Sequence, residues 1–319
     1  MKLLRYAAVV AGFLFAVLLL AALSYCLIRG FRPFALFTEP VQRDVPAVIE
    51  YKTSDGEPLV IHFYEPMRRL YRKAPLVIYI HGGAWEGGTH ELSEDELDIV
   101  NPMRKYGVAV ASIQYRLTDE ENKFPDHIDD VTDAIRYLTV HAGDLGIDKA
   151  RFCELGGSAG AHLSLLAAFA QDRFQDDPGL ADIRYDIRCI VSLSTPCDFV
   201  DLSCYEGEDL VRIQELLTGF LGSTYDQNPS IYAEASPVTY IAASKIPVFM
   251  AHGEKDAVVP VIQADRYVAR AMEAGMDIEY IRVRNGKHGL GSADGNPTVP
   301  AKDELLQRLV RFVLINLLI

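Results

Sequence analysis

Residues Arg151-Phe152-Cys153-Glu154-Leu155-Gly156-Gly157-Ser158-Ala159-Gly160-Ala161-His162 decide how this chain is read. Arg151 to Leu155 reads as a strand and Ala161 to Ala170 as an apolar helix, so a G-x-S-x-G sequence lies between strand and helix. In that context the serine is raised on a turn too tight for ordinary backbone geometry. Gly156 and Gly160, lacking Cβ atoms, let strand and helix approach. The helix N-terminus beneath the serine favours negative charge developing there. Taken alone, the same letters also describe a glycine-rich turn, so the surrounding chain has to choose.

The surroundings alternate strand and helix. Strand-like runs are Leu59 to Tyr64, Leu76 to His81, Val108 to Gln114, Arg151 to Leu155, Ile187 to Leu193, Val248 to His252 and Ile278 to Val283. Several are unbroken Val/Ile/Leu runs, as expected of parallel strands covered on both faces. Between them, Ile128, Val131, Ile135 and Leu138, then Ala264, Tyr267, Val268, Ala271 and Met272, then Leu305, Leu306, Leu309, Val310 and Val313 recur at helical spacing. The pattern predicts an α/β fold with a mostly parallel sheet and right-handed crossovers. Residues 196–236 break the alternation; they read as an insertion with one helix around Leu210 to Leu221, placed as a lid over a site.

Three further signals follow strands. His81-Gly82-Gly83-Ala84-Trp85 ends the second run. Gly82, Gly83 and Ala84, with the Ala159 amide, are the expected oxyanion donors for acyl transfer, a role needing two or more preorganised N–H groups. His81 reads as a structural residue holding the loop. Trp85, the only tryptophan, either walls an acyl pocket or packs the loop; it and Gly157 are the candidate substrate contacts. His252-Gly253-Glu254-Lys255-Asp256 and Gly286-Lys287-His288-Gly289 follow two later strands, where open α/β sheets place their sites. The order Ser158, Asp256, His288 is the one expected of a nucleophile, an orienting carboxylate and a base on this kind of sheet. A lone loop histidine is usually solvated and a loop aspartate usually a turn residue; four pieces in order and context outweigh those readings. Glu254 competes with Asp256 but sits nearer the strand. The remaining histidines lack this context and read as structural or solvated.

The N-terminus has another character. Tyr6 to Ile28 are 23 residues without a charge, bracketed by Lys2 and Arg5 and by Arg29 and Arg32. Such a run is long enough to cross a bilayer as a helix, and longer than the usual apolar core of a cleaved signal. Residues 1–33 therefore read as a membrane anchor or signal segment, and 34–319 as the catalytic domain, membrane-anchored or secreted and extracytoplasmic. The flanking charges barely bias the orientation. The whole chain carries 31 Lys and Arg against 44 Asp and Glu, a net charge of −13, and the part after residue 33 is near −17. That balance argues against nucleic acid as a partner. Of five cysteines, Cys153 and Cys189 read as buried thiols, while Cys197 and Cys204 share a loop and could pair if exported. No spacing of metal ligands is present, so no metal is expected.

From about Val48 onward the chain resembles the α/β-hydrolase superfamily. His81-Gly82-Gly83-Ala84-Trp85 with Gly156-Gly157-Ser158-Ala159-Gly160-Ala161-His162 is similar to its acetyl-esterase and feruloyl-esterase-like branch, of BD-FAE type and related to hormone-sensitive lipase. Gln114-Tyr115-Arg116-Leu117, Phe124-Pro125 and Ala235-Ser236-Pro237-Val238 add to the likeness. Ala84 departs from a three-glycine oxyanion loop, which leaves open which amides point inward. The resemblance implies a cofactor-free serine carboxylesterase acting on a small ester through an acyl-enzyme. Short acyl chains are expected, since nothing suggests a long acyl tunnel. The alternatives are an arylformamidase-type amide hydrolase and a catalytically silent binding module. No feature sets an oligomeric state.

Overall fold

In a computed structural model of the chain, the described residues are 30–32, 38–41, 45–54, 56–241 and 244–318. The expected N-terminal anchor or signal segment falls almost wholly outside them. Among the described residues, no helix is long and apolar enough to cross a membrane.

Eight strands form one sheet: β1 (Ala47–Ser54), β2 (Glu57–Tyr64), β3 (Ala74–Ile80), β4 (Ala109–Ile113), β5 (Ile147–Gly157), β6 (Ile187–Leu193), β7 (Val248–Gly253) and β8 (Ile278–Val283). Their spatial order is β1-β2-β4-β3-β5-β6-β7-β8. The β1–β2 and β2–β4 pairs are antiparallel, and β4, β3, β5, β6, β7 and β8 run parallel. The helices are α1 (Glu94–Lys105), α2 (Asp126–Val140), α3 (Ala159–Phe169), α4 (Gly207–Leu221), α5 (Pro229–Glu234), α6 (Ile262–Glu273) and α7 (Lys302–Leu318), with a 3₁₀ turn at Pro237–Tyr240. The α/β architecture is as the sequence led one to expect.

Successive side chains of a strand point to opposite faces, and the core divides accordingly. Ile78 and Phe152 join Ile128, Val131 and Leu163 of α2 and α3 on one face. Val77, Cys153, Leu155 and Val191 join Val100, Leu309 and Val313 of α1 and α7 on the other. Every residue of β3 is buried, which accounts for its unbroken apolar run.

Two elements escape the sequence reading. β1 alternates exposed and covered residues at the sheet edge, a pattern weak in apolar content. α1 has a capping box at Ser93 and Glu96, a signature present in the letters Ser93-Glu94-Asp95-Glu96. The 196–236 insertion carries α4 and α5, one helix more than expected. Cys197 and Cys204 do not pair: both are free thiols. Cys197 is buried with Sγ 3.4 Å from the Thr195 carbonyl, and Cys204 Sγ accepts from Gln263 at 3.6 Å.

Because the central strands run the same way, their C-terminal ends share one edge of the sheet. The loops after β3, β5, β7 and β8 bring the residues singled out above to that edge.

Candidate functional site

Ser158 sits between β5 and α3 at φ 54° and ψ −121°, a conformation side-chain-bearing residues rarely adopt. Its environment enforces it. The Ser158 N–H donates to the Leu193 carbonyl at 2.8 Å, tying the turn to β6. A Cβ on Gly160 would stand 2.0 Å from the Ile80 carbonyl oxygen, and one on Gly156 would stand 2.4 Å from the backbone of Gly160. Only glycine permits strand, turn and helix to close so tightly. Gly157 and Ser158 remain partly exposed.

The loop after β3 is wound against this turn. A Cβ on Gly82 would lie 2.7 Å from the Gly157 carbonyl oxygen. Gly83, Ala84 and Trp85 follow at φ 122°, 55° and 61°, and the Glu86 and Gly87 amides close the loop onto the Gly83 carbonyl. Among the described residues, no protein group accepts from the N–H of Gly82, Gly83 or Ala84. Ala159 opens α3, where first-turn N–H groups lack helical partners.

The family-like segment Gln114-Tyr115-Arg116 holds this loop from behind. The Tyr115 hydroxyl donates to the His81 carbonyl at 2.8 Å, and its ring stacks on the His81 imidazole at 4.2 Å. Arg116 is fixed in turn by Asp130, Nε to Oδ2 2.7 Å. Burial pushes the His81 pKa down to about 4, although its hydrogen bond to the Gly82 carbonyl opposes the shift. His81 is thus neutral at physiological pH and acts as a loop anchor.

Trp85 is only 2% exposed. It stacks on Phe220 of α4 at 4.3 Å and donates from Nε1 to His162 Nδ1 at 3.2 Å. His162 Nε2 therefore carries the proton and donates to the Ala235 carbonyl at 2.6 Å. Of the two expectations for Trp85, the structure supports packing of the loop; the enclosed indole has no open face to offer a ligand.

Asp256 and His288 meet at the ends of β7 and β8, with His288 Nδ1 2.8 Å from Asp256 Oδ2. Nε2 of the partly exposed imidazole is the ring nitrogen left for another partner. Asp256 Oδ1 accepts from the Val258 and Val259 amides, each at 2.9 Å. Burial alone would raise the Asp256 pKa, but hydrogen bonds from His252 and His288, together with the Val259 amide, hold it well below the usual carboxylate range. Asp256 is a fixed anion that orients the imidazole. Glu254 points away, exposed and 3.4 Å from Arg282.

Sequence reasoning missed His252. It is fully buried, with Nε2 2.8 Å from the Val259 carbonyl and 3.2 Å from Asp256 Oδ2. The carbonyl requires Nε2 to carry a proton, so His252 is a second donor toward the same carboxylate oxygen. Its spacing of four from Asp256 gives no hint of this, because a strand end and a loop separate them. The aromatic group around Trp85 (His162, Phe199 and Phe220) was equally hidden, since it is assembled from three elements distant in sequence. Among the described residues, no three His, Cys, Asp or Glu side chains are grouped to hold a metal ion.

The family model BD-FAE matches residues 61–270. The chain belongs to the BD-FAE family. Its similar proteins include the probable carboxylic ester hydrolase LipM of Mycobacterium tuberculosis, 30% identical over 73% of this chain and 54% of LipM. Esterase LipC of the same organism is 28% identical over 72% of this chain and 56% of LipC. The chain thus spans about half the length of the curated relatives it matches. Among solved structures, propionate-bound esterase 2 of Thermogutta terrifontis superposes with a TM-score of 0.66 at 22% identity, covering 85% of this chain and 93% of that one. A truncated carbohydrate esterase from gut microbiota gives 0.70 at 22% identity, covering 87% and 99%. These likenesses establish the α/β-hydrolase fold for this BD-FAE protein.

Proposed function

We propose that this BD-FAE protein is a serine carboxylic-ester hydrolase working through an acyl-enzyme. The observation that carries the reading is the 2.8 Å Asp256–His288 pair, held at the sheet edge that also presents the strained Ser158 turn. In this reading His288 Nε2 takes the Ser158 Oγ proton as Oγ attacks the ester carbonyl. The resulting oxyanion is met by amides drawn from Gly82, Gly83, Ala84 and Ala159. The tetrahedral species collapses by breaking the carbon–alkoxy bond, and His288 returns the proton to the departing alcohol. Water, deprotonated by the same imidazole, then releases the acid and restores Ser158. Asp256 stays ionised throughout and stabilises the imidazolium.

The named relatives are a probable carboxylic ester hydrolase and an esterase, which supports the same reaction class here. Gly157, partly exposed beside the serine, is the substrate contact retained from the sequence reading. Replacing Ser158 by Ala should lower p-nitrophenyl acetate turnover on the order of 10⁶-fold with the fold intact, and a fluorophosphonate probe should label Ser158. Undiminished turnover, or labelling elsewhere, would overturn the triad.

The uncharged run Tyr6 to Ile28 supports attachment of the domain to a membrane. Washing membranes with alkaline carbonate should leave the full chain in the pellet; its release would reject a spanning anchor.

A further inference from the structure

Beside the Ser158–His288 edge lies a groove that the steps above leave unused. It has a volume of about 330 Å³ and runs between the N-terminal halves of α1 and α7, within the range of small-ligand sites. Its apolar wall includes Ile99 of α1, Leu193 at the end of β6, Leu290 of the loop after β8 and Leu306 of α7, all only partly buried. Two lysines and two aspartates edge it, and one pair of them, Lys302 and Asp95, is closed at 3.1 Å. The groove thus presents apolar surface with balanced charge.

Two observations tie it to the reacting centre. Leu193 lines the groove, and its carbonyl accepts the Ser158 N–H at 2.8 Å. Leu290 stands two residues beyond His288 at φ 67°. A bulky side chain at positive φ is strained, and such strain persists only where the surroundings impose it. Here the Lys287 amide bonds the Gly291 carbonyl at 2.8 Å and the Leu290 amide bonds the Lys287 carbonyl at 2.9 Å, locking the loop that carries both His288 and Leu290.

We infer that this groove receives the alcohol portion of the ester, and that the alcohols it takes are apolar chains. The inference rests on the hydrolase reading and adds the class of leaving group. Its direction comes from the chemistry: the departing oxygen is the one His288 protonates, so the group on the His288 side is the alcohol, while the acyl group stays on Ser158.

The test measures kcat/KM for ethyl, butyl and hexyl acetate, and separately for ethyl acetate, butyrate and hexanoate, with the full chain and with Leu306→Trp and Leu306→Gln. In the unaltered protein kcat/KM should rise with alcohol length, by at most about fourfold per methylene. Either variant should flatten that rise and leave the dependence on acyl length, taken relative to ethyl acetate for the same variant, as it was. Comparing variants cancels any partitioning of the longer esters. Thermal unfolding of each variant reports folding, and Leu306→Gln, nearly isosteric at a partly exposed helix position, serves if the tryptophan disturbs it. No dependence on alcohol length, an unchanged slope in both variants, or a change in the acyl series instead would overturn the inference. Those outcomes leave the hydrolase reading standing; that reading falls only if Ser158→Ala keeps its turnover.

Discussion

Glu154 lies on the central strand β5, four residues before Ser158, with no exposed surface and no hydrogen-bond partner for either carboxyl oxygen. Burial pushes its pKa well above the usual carboxyl range. The folded protein therefore keeps this proton at pH values where the unfolded chain, with a pKa of about 4.3, has lost it. Between those two pKa values the folded state binds one proton more, so stability falls as pH rises, by up to about 1.4 kcal/mol per pH unit. Glu154→Met removes both the proton and the two orphan oxygens while keeping most of the volume. The variant should already be more stable than the parent at pH 5.5, by about 1–3 kcal/mol for the lost unsatisfied group. Its advantage should widen as pH rises from 5.5 to 6.5. Urea unfolding can be followed by fluorescence of Trp85, the only tryptophan, which is 2% exposed when folded. Taking the difference between the two proteins cancels other groups that titrate on folding. Stability curves that run parallel across this pH range would refute the reasoning.

Gly160→Ala should destabilise the fold by about 3 kcal/mol, because its Cβ would meet the Ile80 and His81 carbonyl oxygens at 2.0 and 2.6 Å. Esterase activity should fall with it, since His81 leads into the amide loop; thermal unfolding and p-nitrophenyl acetate turnover equal to those of the parent would contradict this. Reducing agent should leave the melting temperature unchanged, since Cys197 and Cys204 are free. Loss of a disulfide would instead cost about 2–4 kcal/mol, and a drop of several degrees on reduction would show that the pair exists.

What the sequence made legible was whatever depends on local order. The strands β6 and β8 have the ends that their Ile- and Val-containing runs suggested, because Asp186 and Ser194 bound one and Asp277 and Arg284 the other. The positions of Ser158, Asp256 and His288 at strand ends could be read because each follows such a run within a few residues. β1 was less visible: an edge strand with one wet face has few apolar letters. Trp85 and His252 illustrate a different limit. Whether an indole faces a ligand or a wall of phenylalanines depends on Phe199 and Phe220, which arrive from an insertion more than a hundred residues away. Whether a buried histidine touches Asp256 depends on how the loop after β7 turns back, and that turn is fixed by Val258 and Val259 amides on the carboxylate.

The indole of Trp85 also determines how the insertion can behave. It belongs to the loop that offers amides beside Ser158, yet its ring lies flat on Phe220 of α4, and through His162 it is linked by hydrogen bonds to Ala235 just past α5. From the other side, Thr118 donates to the Trp85 carbonyl at 2.8 Å. Insertion and amide loop therefore form one mechanical body. A hinged flap swinging clear on its own would have to strip the aromatic stack and break the histidine relay. The insertion thus buttresses the loop that carries Gly82, Gly83 and Ala84 through the Trp85 indole.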